Sequence, residues 1–149
     1  VVLKQVETAL GESGIPPSKL ELELTESVLM HDGELVTGAL RQLKALGVKL
    51  SIDDFGTGYS SFAYLRRFKC DKIKIDQSFV HDLIDDPDNA AIVRGIISLA
   101  QSLGLDVLAE GVENVAVAQR LKHLRCTYAQ GYYFSRPLRP ELFLERVNA

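Results

Sequence analysis

Apolar residues recur at two periods along this chain. Val2, Leu3, Val6, Ala9 and Leu10 follow helical spacing to about Ser13. Gly14 and the Pro16-Pro17 pair end that stripe. Leu20 to Thr25 reads LELELT, a strict alternation that predicts a strand with one apolar face. Gly33 to Leu46 returns to the helical period through Val36, Ala39, Leu40, Leu43 and Leu46, with Gly47 as its stop. Val48 to Asp53 (VKLSID) predicts a second strand. The glycine-rich Phe55 to Ser61 stretch predicts a loop, followed by a short helical turn. Asp71 to Asp76 (DKIKID) predicts a third strand, Asn89 to Leu103 a strong helix stopped by Gly104, and Leu105 to Ala109 a fourth strand. Val115 to Leu124 predicts a helix, Thr127 to Gly131 a weaker fifth strand, and Pro140 to Val147 a closing helix.

Strand followed by helix, five times over, means parallel βα units and an α/β fold. An open doubly wound sheet and a (β/α)8 barrel both accommodate such units. The strand faces favour the barrel. One face carries Leu20, Leu22 and Leu24, then Val48, Leu50 and Ile52, then Ile73 and Ile75, then Val107 and Ala109. The opposite face carries Glu21 and Glu23, then Lys49, Ser51 and Asp53, then Lys72, Lys74 and Asp76, then Asp106, Leu108 and Glu110. The first face can pack on helices. The second converges as charge, which a closed interior can neutralise or use to hold metal. A barrel of this type takes about 250 residues and eight strands. Residues 1–149 are therefore expected to be the C-terminal five βα units of one (β/α)8 barrel domain. No second domain is expected, and the first strands precede Val1.

Composition narrows the chemistry. The 149 residues carry 17 Lys+Arg against 20 Asp+Glu, a net charge of −3 and a pI near 5.6. That balance argues against a general DNA or membrane-surface binder. No apolar run approaches the roughly 18 residues of a membrane helix. The opening VVLKQVETAL is a helical pattern and not a leader. Cys70 and Cys126 lack metal-type spacing and fit a reduced, cytoplasmic chain. The chain opens without methionine, which reads as a piece of a longer protein.

Acids gather at the C-terminal ends of the strands, the face where barrel active sites lie. Glu23 and Glu26 close the first strand, Asp53 and Asp54 the second, Asp76 the third, Glu110 and Glu113 the fourth. Adjacent carboxylates in a dry site repel one another unless a cation intervenes. Oxygen donors without nearby His or Cys favour Mg²⁺ or Mn²⁺ over zinc. A metal pair would suit in-line hydrolysis of a phosphate ester. Lys74 points the same way as Glu23, Asp53 and Glu110, where it can orient water or offset phosphate charge. Each feature alone has a plainer use: a helix cap, a turn or a solvated lysine. Tyr59, Tyr132 and Tyr133 can stack on a base or simply pack. Arg66-Arg67 can meet phosphate or form a solvated turn. His31, His81 and His123 show no ligand spacing.

ELTES at Glu23 to Ser27, DDFGTGYSS at Asp53 to Ser61, KIKID at Lys72 to Asp76, AEGVE at Ala109 to Glu113 and QGYYFSRP at Gln130 to Pro137 resemble the EAL-domain cyclic di-GMP phosphodiesterases. The resemblance covers essentially the whole chain, with the five motifs in family order. It implies a modified (β/α)8 barrel and metal-dependent hydrolysis of cyclic di-GMP to linear pGpG in bacterial cytoplasmic signalling. By position, Glu23, Asp53 and Asp54 resemble metal ligands, Asp54 being shared between two ions. Lys74 resembles the lysine near the attacking water, Glu110 a further ligand or water-positioning acid, and Gln130 the glutamine that supports nucleophile or substrate. Glu26 resembles the acid that anchors the Asp54–Ser61 loop, which the family associates with a dimer interface. Asp76 and Glu113 are more peripheral in this scheme. The family's name-giving glutamate ligand and the asparagine ligand that follows it fall on early strands and are not among these residues.

Two other readings use the same residues. A non-catalytic cyclic di-GMP receptor would usually lack metal ligands, and the matching set favours the enzyme. An unrelated metal-dependent barrel hydrolase would differ in its product. The isolated chain is expected to be inactive, to bind metal weakly and to self-associate through raw sheet edges, as a homodimer or larger.

Overall fold

The computed structural model describes residues 2–25, 27–28, 34–58, 65 and 68–148. Helix α1 spans Val2–Ser13 and a single 3-10 turn Pro17–Lys19 leads into β1, Glu21–Thr25. Then follow α2 (Glu34–Ala45), β2 (Lys49–Phe55), β3 (Lys72–Ile75), α3 (Gln77–His81) and α4 (Pro87–Ser102). The chain continues through β4 (Asp106–Ala109), α5 (Val115–His123), β5 (Tyr128–Ala129) and α6 (Pro140–Asn148). The strands form one parallel sheet in the order β1-β2-β3-β4-β5. A doubly wound sheet reverses direction at a switch point. This order never reverses. Right-handed crossovers that always step the same way put every helix on one side, as in a barrel wall. Among the described residues β1 and β5 each pair on one side only.

The helix-side face is the core. Leu50, Ile52, Ile73, Ile75, Val107 and Ala109 are buried against Leu40 and Leu43 of α2, Val93, Ile96, Ile97 and Ala100 of α4, and Val117 and Leu121 of α5. At the N-terminal end of the sheet Asp71 ties three elements together. Its carboxylate accepts from the Leu50 backbone N–H at 2.8 Å and from Lys44 Nζ of α2 at 2.7 and 2.8 Å. On the opposite face, Lys72 Nζ donates to both Glu21 carboxylate oxygens, at 2.7 and 3.0 Å, and sits 5.2 Å from the Tyr128 ring centroid. The converging charges are therefore paired in layers.

Several boundaries differ from the sequence pattern, each for a local reason. Helix α4 starts two residues earlier than the apolar stripe because Asp86 caps it, accepting from Asp88 N and Asn89 N, with Pro87 in the first turn. Helix α3 carries too few apolar positions to show a period, yet Asp76 caps it through Ser78 N. Strand β2 runs on to Phe55 through a bulge, and β5 shrinks to two residues. The helical turn expected after the glycine-rich loop lies largely outside the described residues, as does Gly33. Helix α6 forms as expected, but Leu142, Phe143, Leu144 and Val147 are exposed. No described helix is long and apolar enough to cross a membrane.

Burial pushes the Cys70 thiol up to about 11. An unfolded thiol titrates near about 8.5. The folded state thus holds its proton more tightly, and stability falls as pH rises from that value toward 11. Urea midpoints measured from pH 8 to 11 should decline, and Cys70→Ala should remove part of that decline. An unchanged slope in the variant would contradict the buried-thiol account.

Candidate active site

The site is built around one ammonium group. Lys74, on β3, is 5% exposed, and its Nζ lies 2.9 Å from Glu23 Oε2, 2.9 Å from Asp53 Oδ1 and 2.9 Å from Glu110 Oε1. These partners come from β1, β2 and the residue after β4, so Lys74 joins neighbouring strands at their C-terminal ends. Burial by itself would lower its pKa, but contacts with the three carboxylates outweigh this and hold it above the ordinary lysine value. Lys74 is therefore a fixed positive charge.

Asp53 and Asp54 present a geometric problem, because successive strand residues face opposite ways. The structure solves it with a bulge. Ile52 pairs with Ile73 and Phe55 with Ile75, so β2 inserts one extra residue. Asp54 takes φ 53°, in the left-handed region that a non-glycine residue enters only at a cost. Its carbonyl accepts from Thr57 Oγ1 at 2.8 Å and Thr57 N at 3.2 Å, which holds the turn. As a result one carboxylate oxygen from each of Asp53, Asp54 and Glu110 lies within 4.8 Å of the others.

Glu110 is oriented by Gln130, whose Nε2 donates to Glu110 Oε1 at 3.1 Å. The two loops that carry them are stitched together. Gln130 N donates to Ala109 O at 2.9 Å, Val112 N to Gln130 O at 3.0 Å, and Tyr133 N to Val112 O at 3.0 Å. This needs glycine at 131, where a Cβ would stand 2.1 Å from Val112 O.

Asp54 and Asp76 share a hydrogen bond and titrate in opposite directions. Burial, then the charges of Asp53 and Asp76, raise the Asp54 pKa. Hydrogen bonds from the Ser78 hydroxyl, and further ones from backbone N–H groups, lower that of Asp76.

Five carboxylates and one ammonium meet here: Glu23, Asp53, Asp54, Asp76 and Glu110 around Lys74. Asp53 Oδ1 is buried at ion-pair distance from Lys74, outside hydrogen-bond geometry, and has no hydrogen-bond partner among the described residues. Surplus negative charge and an all-oxygen donor set fit a hard divalent cation. Asp53, Asp54 and Glu110 would hold it, with Glu23 reaching the cluster through Lys74. A cavity of about 760 Å³ opens beside the acids and extends past Gln130 and Tyr132 to Arg136.

The family model for the EAL domain matches residues 1–137. The chain belongs to the EAL domain family. It is 44% identical over 98% of its length to the bifunctional diguanylate cyclase/cyclic di-GMP phosphodiesterase MucR of Pseudomonas aeruginosa. It is 46% identical over 92% of its length to the cyclic di-GMP phosphodiesterase NbdA of the same organism. The chain spans about a fifth of these relatives, 21% of MucR and 18% of NbdA. A solved structure of the MucR phosphodiesterase in complex with c-di-GMP superposes with TM-score 0.90, covering 95% of this chain and 57% of that one. BlrP1 of Klebsiella pneumoniae, solved as a manganese/cyclic di-GMP complex, is 35% identical with TM-score 0.84, covering 91% of this chain and 34% of that one. The five-unit α/β sheet is thus the part of the EAL fold that these residues carry.

Of the residues the EAL resemblance singled out, Glu23, Asp53, Lys74, Glu110 and Gln130 converge through direct contacts, and Asp54 joins through the bulge. Glu26 lies outside the described residues, as do Tyr59, Arg66-Arg67 and His31. Asp76 is closer to the centre than its peripheral reading, through its bond to Asp54. Ser78 and Gly131 went unnoticed. The signals available were the Asp-x-Ser cap pattern and the glycine following Gln130.

Gly131→Ala should force the two loops apart and displace Gln130 from Glu110. A drop in melting temperature together with a shifted Gln130 side-chain amide resonance is the expected result. A variant as stable as the wild type, with that resonance unmoved, would refute the close-packing argument.

Proposed function

We propose that the protein carrying this chain is a divalent-cation-dependent phosphodiesterase that hydrolyses cyclic di-GMP to linear pGpG in cytoplasmic signalling. These residues would then form the C-terminal portion of its single EAL domain, a (β/α)8 barrel. The observation that carries the reading is Lys74 at 2.9 Å from three carboxylates, beside the Asp53–Asp54–Glu110 oxygen cluster. The naming of MucR and NbdA as phosphodiesterases supports it. Mg²⁺ or Mn²⁺, as one or two ions, suits the oxygen donors, and the manganese complex of BlrP1 agrees with that choice.

Hydrolysis adds water across one phosphodiester. The water oxygen bonds to phosphorus, the bond to the ribose 3′ oxygen breaks, and that oxygen leaves with a proton. A bound cation would supply charge that polarises the phosphate and activates water. Glu110, oriented by Gln130, would accept a proton from the water. Lys74 stays protonated and offsets charge developing on the phosphate oxygens. Arg136, 4.7 Å from the Tyr132 ring centroid, offers charge and an aromatic face further along the cavity.

In the full-length protein Asp53→Asn should abolish hydrolysis while the fold persists by circular dichroism. Wild-type turnover in that variant would sink the ligand assignment. Lys74→Ala should lower kcat by about 10²–10³-fold, the scale for one lost electrostatic stabiliser. A change confined to KM would make Lys74 a ground-state phosphate contact instead.

The 149-residue chain taken alone should behave differently. Among the described residues β1 and β5 each leave one edge unpaired, and those edges with the exposed apolar side chains of α6 invite association. Light scattering should show dimers or larger species, and no pGpG should form with Mn²⁺ present. A monodisperse monomer, or robust pGpG production, would contradict this.

A further inference from the structure

Two arginines line the cavity, and only one of them is engaged. Arg146 of α6 donates from Nη2 to the Phe134 carbonyl at 2.9 Å, which pins the loop after β5 to the closing helix. The Arg136 guanidinium has no hydrogen-bond or ion-pair partner among the described residues and rests 4.7 Å from the Tyr132 ring centroid. Both side chains stand on a loop that is fixed at its start. Gln130 is hydrogen-bonded to Glu110, and Phe134 N and Ser135 N turn back to Gly131 O at 3.0 and 3.3 Å. Tyr132 is 57% exposed, so its ring keeps open surface beside the guanidinium.

We propose that the Tyr132–Arg136 pair is a base-reading subsite that selects guanine in the dinucleotide. The proposal rests on the cyclic di-GMP reading above. At long range the charge of Arg136 attracts any phosphate. In contact, a phosphate would use the guanidinium and leave the ring idle, whereas a purine uses both. The flat face of a base stacks on an aromatic ring. Guanine presents two acceptors, N7 and O6, along one edge, which match the donor fork of arginine. Adenine places an amino donor where guanine has O6, and two donors facing each other cannot bond. Tyr132 thus holds any base, and Arg136 chooses guanine.

The test uses the full-length protein with Mn²⁺ and two substrates, cyclic di-GMP and cyclic di-AMP. Arg136→Ala should lower kcat/KM for cyclic di-GMP by about 10–100-fold, the scale of one bidentate base contact, and change that for cyclic di-AMP little. Discrimination between the two then shrinks by the same factor. Tyr132→Ala should lower both by about tenfold or more, because every base has a stacking face, and Tyr132→Phe should behave as wild type. Where cyclic di-AMP is not turned over, its inhibition constant against cyclic di-GMP hydrolysis supplies the ratio. A ratio unchanged in Arg136→Ala overturns the proposal: equal losses make the arginine a phosphate contact, and no loss puts it outside the bound substrate. Wild-type rates in Tyr132→Ala overturn it as well. Each of these results leaves the phosphodiesterase reading standing. Absence of cyclic di-GMP hydrolysis by the wild-type protein removes that reading, and the proposal with it.

Discussion

Lys74 lets a parallel sheet end in a crowd of carboxylates without flying apart. Glu23, Asp53 and Glu110 each stand 2.9 Å from its ammonium group. Removing any buried charge from water is costly, and a buried ion pair repays that cost only when its geometry is good and its remaining bonds are met. Here three anions share one cation across neighbouring strands, and Gln130 meets a further need of Glu110. The arrangement sets strand register as well as charge. Slipping β3 by one residue would put Ile73 or Ile75 into the charged interior and Lys74 into the apolar core, where no partner waits.

That electrostatic centre constrains the backbone around it. Asp53 and Asp54 can face the same way only because β2 inserts an extra residue and Asp54 enters the left-handed region. Strain of this kind persists where surrounding contacts over-determine it. Thr57 supplies one contact on the carbonyl and Asp76 another on the side chain. The Glu110 and Gln130 loops reach the cluster by a different route. Reciprocal backbone hydrogen bonds cross between them through Val112, with Gly131 leaving room for the approach. Rigid strands set the coarse positions, and turns fixed from two sides set the fine ones.

The alternation of Leu and Glu in β1, and of Lys and Ile in β3, was enough to read both faces of the sheet from the sequence. Those patterns are legible because side chains in a strand alternate with period two. The bulge was not legible. It breaks the very alternation that made β2 readable, and Asp-Asp before a glycine-rich loop equally fits an ordinary turn. Helix α3 escaped because one turn of helix shows no period, and its cap, Asp76, read as a strand-end acid. The choice between barrel and doubly wound sheet rested on charge in the sequence and rests on strand order in the structure. Glu110 was legible as a strand-end acid on the Lys74 face, whereas Gln130 was singled out only through motif resemblance. Ser78 and Gly131 bring no catalytic group, so only the Asp-x-Ser cap pattern and the glycine after Gln130 pointed to them.

The imbalance of charge has a consequence for the order of events under the proposed function. One ammonium faces five carboxylates around the strand ends. A cyclic dinucleotide brings two phosphodiester anions of its own. Like charges at close range in a partly dry site repel strongly. Lys74 relieves only part of this for the substrate, because three carboxylates already share its charge. Arg136 lies farther along the cavity, so it can draw a phosphate toward the opening but does not neutralise the acids. A divalent cation placed among Asp53, Asp54 and Glu110 would offset two of those negative charges beside the cavity. Under the proposed function the surplus of acids would make cation binding favour substrate binding. By thermodynamic linkage, a bound dinucleotide must then tighten the hold on the cation by the same factor.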